Sequence, residues 1–207
     1  MTENKNYLED ISQIRSLMEQ SSRFISLSGL SGIFAGSYAL IGAFVAHHLI
    51  TGSSFSAESN SYLYGGANLK MLLYIDATAV FVLAIVSGIY FTTRKARKQG
   101  VKTWDNTSRR MLLNLAIPLA TGGAFCLILL FRGMVSMVAA SALVFYGLSL
   151  VNASKYTFRD IRFLGFIEIA LGLTAGIVPG GSIVFMALGF GVFHIVYGVV
   201  MYIKYEK

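Results

Sequence analysis

Six long apolar blocks, separated by short polar segments, dominate the hydrophobic pattern of this chain. A helix needs about 20 apolar residues to cross the hydrocarbon core of a bilayer. The blocks that meet this requirement cover about residues 24–49, 71–92, 111–131, 134–152, 161–178 and 182–203. The pattern predicts an all-α polytopic membrane protein, a bundle of six transmembrane helices.

Two of the boundaries depend on short breaks inside apolar sequence. Arg132-Gly133 separates the third block from the fourth, and Pro179-Gly180-Gly181 separates the fifth from the sixth. Glycine and proline pairs of this kind are strong turn signals, so both breaks predict tight hairpin connections. The second, fourth and sixth blocks also end alike, with an aromatic residue before a basic one, which favours three helical hairpins related by weak repetition. Aromatic residues near a basic membrane edge are common without any repeat, and this alternative stays open.

The N-terminal segment, residues 1–23, has a helical pattern of its own. Apolar residues recur at helical spacing among Glu, Arg and Gln, at Leu8, Ile11, Ile14, Leu17 and Met18. This pattern predicts a cytoplasmic amphipathic helix on the membrane surface. A helix that docks on a partner protein is the alternative. Residues 24–207 form the predicted six-span membrane domain.

The charges alternate between the two ends of the predicted bundle. Fifteen of the 17 Lys and Arg residues lie in the N-terminal segment, two loops and the C-terminal tail, and only Lys70 and Arg132 lie on the other side. This positive-inside bias predicts both termini in the cytoplasm. It also explains the net charge of +7 without nucleic-acid binding. The chain resembles small six-span proteins of the bacterial inner membrane, which implies that location.

Glu168 and His194 stand deep inside the last two apolar blocks. Each lies on a glycine ridge of the same spacing, from Gly165 to Gly172 and from Gly191 to Gly198. Counted from the turn at Gly180, their depths differ by only about 3 Å at 1.5 Å per residue. We expect the two ridges to turn both residues toward the neighbouring helix, and a Glu–His hydrogen bond to form at mid-membrane. A proton relay or polar solute site is one interpretation, because ionisable groups at this depth are costly. A structural pair that fixes helix register is the other.

Other small residues have the spacing of close helix packing. The predicted packing positions are Gly29, Gly32, Gly36, Gly172, Gly176, Gly191 and Gly198. In the third block, Asn114 and Pro118 are spaced for a kink with a freed carbonyl.

His47, His48 and Asp76 are predicted near the outer surface. They are candidates for the outer mouth of a pathway, but we favour the interpretation that they are interfacial residues that need no ligand. Adjacent histidines point about 100° apart on a helix and rarely share an ion, so we expect no metal. The sequence has no phosphate-binding loop, dinucleotide fingerprint or zinc motif, and we expect no cofactor.

Gly29-Leu30-Ser31-Gly32, together with His194, resembles the serine signature of rhomboid intramembrane proteases. The resemblance covers only these residues, and the serine of that family follows the third span and faces the outer side. Here Ser31 lies in the first span, on the inner half, so we interpret the motif as helix packing. We do not expect an enzyme.

The sequence is consistent with two functions. The first is small-solute or proton-linked permeation through a bundle with a buried Glu168–His194 focus. The alternative is a non-enzymatic regulator or scaffold that binds a partner through its N-terminal helix and basic loops. Expected partners are the lipid bilayer, with a second copy or a cytoplasmic protein as further candidates. A transporter should have a polar cavity that reaches Glu168, whereas a scaffold should be packed solid there.

Overall fold

The computed structural model describes residues 27–54, 67–100, 104–178 and 180–207. Within these ranges every regular element is a helix. The predicted amphipathic helix at residues 1–23 lies outside the described residues.

Each of the six apolar blocks overlaps one helix in the described part of the chain. The helices are α1 (Gly29–Ser54), α2 (Ala67–Lys98), α3 (Asn106–Phe131), α4 (Ser136–Ala153), α5 (Asp160–Ile177) and α6 (Ser182–Tyr205). Five of them are long and apolar enough to cross a membrane. The remaining helix, α5, has 18 residues and includes Asp160, Arg162 and Glu168.

Local sequence signals explain where the helices end. Gly133 and Gly180, at the two predicted turns, have φ angles of 75° and 79°, a left-handed conformation that glycine adopts at little cost. Asp105 caps α3 by accepting a hydrogen bond from Ser108 N at 2.7 Å. This bond to its charged form holds the pKa of Asp105 below its usual value.

The helices pack in a spatial order that differs from their order in the chain. α2 packs against α1, α1 against α6, and α6 against α4 and α5, while α4 also packs against α3. The α4–α5 and α1–α6 interfaces are the most extensive, and α5 contacts α6 much less. The first two pairs are therefore close hairpins, whereas α5 and α6 are consecutive helices that each pack mainly on another helix.

Glycines lie at two close helix crossings. In α1, Gly29 and Gly36 face α6 so closely that an added Cβ would lie 2.5 Å from Gly198 O or 2.6 Å from Gly191 O. Gly165 in α5 faces Gly147 in α4 in the same way. Such close approach increases van der Waals contact between helices, the main attraction available where lipid is as apolar as the side chains.

The outward surface of the bundle is strongly apolar. Large side chains such as Phe44, Phe131 and Ile177 are 72%, 89% and 80% exposed. A water-soluble monomer rarely carries extended apolar patches, so this surface fits a lipid environment.

Candidate functional site

The structure brings Glu168 and His194 together in the interior of the bundle. Their side chains project from α5 and α6, and Glu168 is 0% exposed while His194 is 7% exposed. His194 Nδ1 lies 3.4 Å from Glu168 Oε1. The depth match in the sequence anticipated this proximity.

The two glycine ridges around the pair do not pack against each other, contrary to the expectation from the sequence. Gly165 and Gly172 pack against α4, where an added Cβ at Gly172 would lie 2.8 Å from Ala140 O. Gly191 and Gly198 instead pack against α1. The two ridges have different partners because a flat glycine surface accepts any helix of suitable shape, and the polar pair lies beside the ridges.

The remaining predicted packing glycines lie near these same interfaces. An added Cβ at Gly32 would lie 3.1 Å from Gly198 Cα, and one at Gly176 would lie 3.7 Å from Ala140 Cβ. Gly32 is thus part of the tight α1–α6 crossing, whereas a side chain at Gly176 would lie at ordinary van der Waals distance from α4.

Tyr146 completes a line of three polar side chains. Its hydroxyl lies 2.7 Å from His194 Nε2, and its ring centroid is 5.3 Å from that of the imidazole. In the sequence, this tyrosine is one of the aromatic residues that precede a basic residue at the ends of the second, fourth and sixth blocks. The contact between α4 and α6 that makes the tyrosine a partner is non-local, and no local signal revealed it.

The backbone of α6 sets the orientation of the imidazole. His194 Nδ1 lies 3.0 Å from Gly189 O, within a π-helical segment, Ala187–Phe193. A carbonyl oxygen can only accept, so Nδ1 carries a hydrogen, and in the neutral ring Nε2 accepts from the Tyr146 hydroxyl. Single turns of π-helix occur frequently at functional sites.

The carboxyl group of Glu168 is enclosed by close packing. An added Cβ at Gly189 would lie 2.5 Å from Glu168 Oε2 and 2.6 Å from Leu143 Cδ2, so the absence of a side chain there makes room for the carboxyl group. Among the described residues, neither carboxyl oxygen has a hydrogen-bond partner, so the Glu–His hydrogen bond expected from the sequence is not formed. His194, at 3.4 Å, is the polar side chain placed against it. The arrangement is a Tyr–His–Glu line that ends in a tightly packed carboxyl group.

Two grooves on the described surface lie away from this line. One lies between α3 and α4 beside Pro118 and Asn152, and another between α4 and α5 beside Ser141 and Gly176. Neither Glu168 nor His194 lines them.

The predicted outer-mouth residues do not form a cluster with a recognisable ligand. His47 and His48 are exposed near the end of α1, and Asp76 on α2 is half-buried. Asp76 packs beside Gly42, where an added Cβ would lie 3.4 Å from Oδ2. Across the described ranges, no three His, Cys, Asp or Glu side chains are grouped as metal ligands.

Ser31 of the protease-like motif has a local partner. Its hydroxyl donates to Ser28 O at 2.5 Å, one helical turn earlier. The imidazole nitrogens of His194 face Tyr146 and Gly189 instead. Gly32 lies against Gly198 in α6, so this stretch contributes to helix packing.

A second polar cluster, which was not predicted from the sequence, lies where α1 begins and where α2 and α6 end. Glu206 accepts from the backbone N–H of Gly29, and Lys95 Nζ lies 3.2 Å from Glu206 Oε1. Lys95 also donates to Leu27 O at 2.8 Å. Glu206 thus caps α1 from a distant part of the chain, and Lys95 ties α2 to the same point.

No protein-family model matches the chain, and no curated protein or solved structure does so either.

Proposed function

We propose that this chain is a bilayer-embedded, non-conducting regulator or scaffold in which Tyr146, His194 and Glu168 form an internal clamp. The enclosure of Glu168 carries the proposal, since its side chain is 0% exposed and packs against Leu143 and Gly189. A permeation site needs a path for water or solute, whereas a clamp needs dense packing. The clamp joins α4, α5 and α6. This structural role accounts for the presence of three polar side chains in an apolar interior, where such groups are costly.

The basic end of the bundle supports a role in binding a partner. Exposed cations at this end include Arg94, Arg97, Lys98, Arg109, Arg110, Lys155 and Arg159. The positive electrostatic potential of such a surface steers acidic partners toward it and increases their association rate. Under this proposal the basic end faces the cytoplasm of a bacterial cell, following the positive-inside bias.

Proteoliposomes test whether the protein conducts. Purified full-length chain is reconstituted with a pH-sensitive dye inside the vesicles, and an outward or inward pH step is applied. We expect the pH inside to change no faster than in protein-free vesicles, while an added protonophore collapses the gradient. Proton entry above the protein-free rate that Glu168→Gln abolishes would overturn the proposal.

Cysteine labelling tests the orientation. Cys126 is first replaced by Ala, and single cysteines are placed at Gly52, beside the outer end of α1, and at Gln99, just after α2. A membrane-impermeant maleimide should label the Gly52 variant in intact cells and the Gln99 variant only after lysis. The reverse pattern would contradict the cytoplasmic placement of the basic end.

Proton-linked permeation is the second candidate, favoured by one specific observation. Both oxygens of the buried Glu168 carboxyl lack a hydrogen-bond partner beside a π-helical segment of α6. A change of helix register there would give the carboxyl group new partners and a route to water. In this case Glu168→Gln removes flux but leaves a folded protein, which distinguishes the candidate from a purely structural clamp.

A further inference from the structure

A groove of about 470 Å³ runs along the surface between α3 and α4. Its walls include Pro118, Thr121, Phe145, Leu148, Asn152 and Lys155. The groove is open to the outside of the bundle and is separate from the Tyr146–His194–Glu168 line.

Pro118 explains the local structure of the groove. Proline has no backbone N–H, so the carbonyl of Asn114, four residues earlier, loses its helical partner. Asn152 Nδ2 on α4 donates to this carbonyl at 2.9 Å. The freed carbonyl predicted from the Asn114 and Pro118 spacing is thus satisfied by the neighbouring helix, which holds the two walls of the groove together.

The groove is apolar at one end and cationic at the other. Phe145 and Leu148 line the apolar part, and Asn152 and the exposed Lys155 lie toward the end of α4. Arg110 stands on α3 one turn before Asn114, toward the same end. The ion pairs of the described residues include neither Lys155 nor Arg110. Lys155 Nζ donates a long hydrogen bond to the neutral Asn152 Oδ1 at 3.4 Å, which leaves its charge uncompensated beside the groove.

The length of the groove matches one leaflet of a bilayer. Phe145 and Lys155 are ten residues apart, or about 15 Å at 1.5 Å per residue. This is half of the roughly 30 Å hydrocarbon thickness. The cationic end therefore lies at the membrane edge, and the apolar end reaches toward the midplane.

We propose that this groove binds one anionic phospholipid from the leaflet at the basic end. An acyl chain lies along Pro118, Phe145 and Leu148, and the phosphate contacts Lys155, with Arg110 close by. The apolar channel is about one leaflet long and ends at a cationic membrane edge. This arrangement fits the acyl chain and the charged headgroup of a lipid, whereas a soluble anion has no apolar part to occupy the channel. Basic residues at this depth attract anionic headgroups by a recognised electrostatic mechanism.

The test uses native mass spectrometry and thermal unfolding of the delipidated full-length chain in detergent. The probes are phosphatidylglycerol, phosphatidylcholine with the same acyl chains, and inorganic phosphate. Lys155→Gln removes the proposed phosphate contact, with Lys98→Gln as the matched control, because Lys98 is an exposed cation at the end of α2. Leu148→Trp fills the groove, with Leu127→Trp on the exposed surface of α3 as its control.

We expect one retained phosphatidylglycerol per chain and a higher unfolding temperature with that lipid. Lys155→Gln should weaken the apparent affinity about fivefold, the effect of one cation near the headgroups, while Lys98→Gln leaves it unchanged. Leu148→Trp should abolish retention, and Leu127→Trp should not. Equal losses in both lysine variants, equal binding of phosphatidylcholine, stabilisation by inorganic phosphate alone, or retention by Leu148→Trp would each overturn the proposal.

Discussion

The contact between Glu168 and His194 makes the most direct prediction, a non-additive effect of two substitutions. Glu168→Gln keeps the size of the side chain but removes the carboxyl group, and His194→Phe keeps a ring but removes both nitrogens. If the pair interacts, His194→Phe strands the Glu168 carboxyl group in the apolar interior, whereas Glu168→Gln leaves His194 its contacts with Gly189 and Tyr146. The double variant has no carboxyl group left to strand, so its loss of stability should be smaller than the sum of the two single losses.

The structure sets the size of this coupling. Neither carboxyl oxygen of Glu168 has a hydrogen-bond partner in the part of the chain that the structure describes, and His194 Nδ1 lies 3.4 Å from Oε1. Polar contacts between membrane helices average about 0.6 kcal/mol and reach about 1.7. Breaking a buried ion pair costs about 3–5 kcal/mol because it leaves an uncompensated charge. Since the carboxyl group has no alternative partner, we expect a coupling above about 1 kcal/mol.

Equilibrium unfolding in mixed micelles, in which the denaturing detergent is titrated, measures the four free energies of the cycle. Glu168→Gln combined with Lys98→Gln is the control cycle, since Lys98 lies at the exposed end of α2. The control cycle should be additive within about 0.5 kcal/mol, as expected for separated sites. If the Glu168 and His194 variants are equally additive, the two side chains do not interact and the clamp proposal is wrong.

Three further predictions concern single substitutions. Tyr146→Phe should destabilise the protein by about 1–3 kcal/mol because it leaves a buried imidazole nitrogen unpaired. Tyr197→Phe should cost nothing, since the hydroxyl it removes is buried without a hydrogen-bond partner. Gly36→Ala should destabilise by about 1–3 kcal/mol through overpacking against α6, whereas Gly88→Ala, with nothing within 4 Å, should be neutral or stabilising. Asp105→Ala should cost about 1 kcal/mol at neutral pH through loss of the α3 cap. Because folding lowers the pKa of Asp105, its contribution is present above the unfolded pKa and is lost as the pH falls through the folded pKa.

The same unfolding assay checks all three, and each has a contradicting result. Equal effects of the two tyrosine variants would show that the hydroxyl of Tyr146 is not paired with the imidazole. Equal effects of the two glycine variants would show that α1 and α6 are not in close contact at Gly36. An Asp105→Ala cost that stays constant from neutral pH down to about pH 2, below the usual Asp pKa, would show that the cap is not electrostatic.

Much of the helical architecture follows from local features of the sequence. Apolar blocks of membrane-spanning length predict helices, because a chain in an apolar environment must satisfy its backbone hydrogen bonds internally. The turns at Gly133 and Gly180 were equally predictable, since a left-handed backbone selects glycine. The depth match of Glu168 and His194 required only the rise of a helix and the position of one turn.

Tertiary structure alone decided which faces meet. Nothing local distinguishes the α5 ridge at Gly165, which packs on α4, from the α6 ridge at Gly191, which packs on α1. Tyr146 and Glu206 acquired their roles through partners at least 48 residues away in the chain. A helix presents several faces of similar apolarity, and a glycine ridge fits more than one neighbour. The choice among these neighbours therefore depends on the packing of all six helices together.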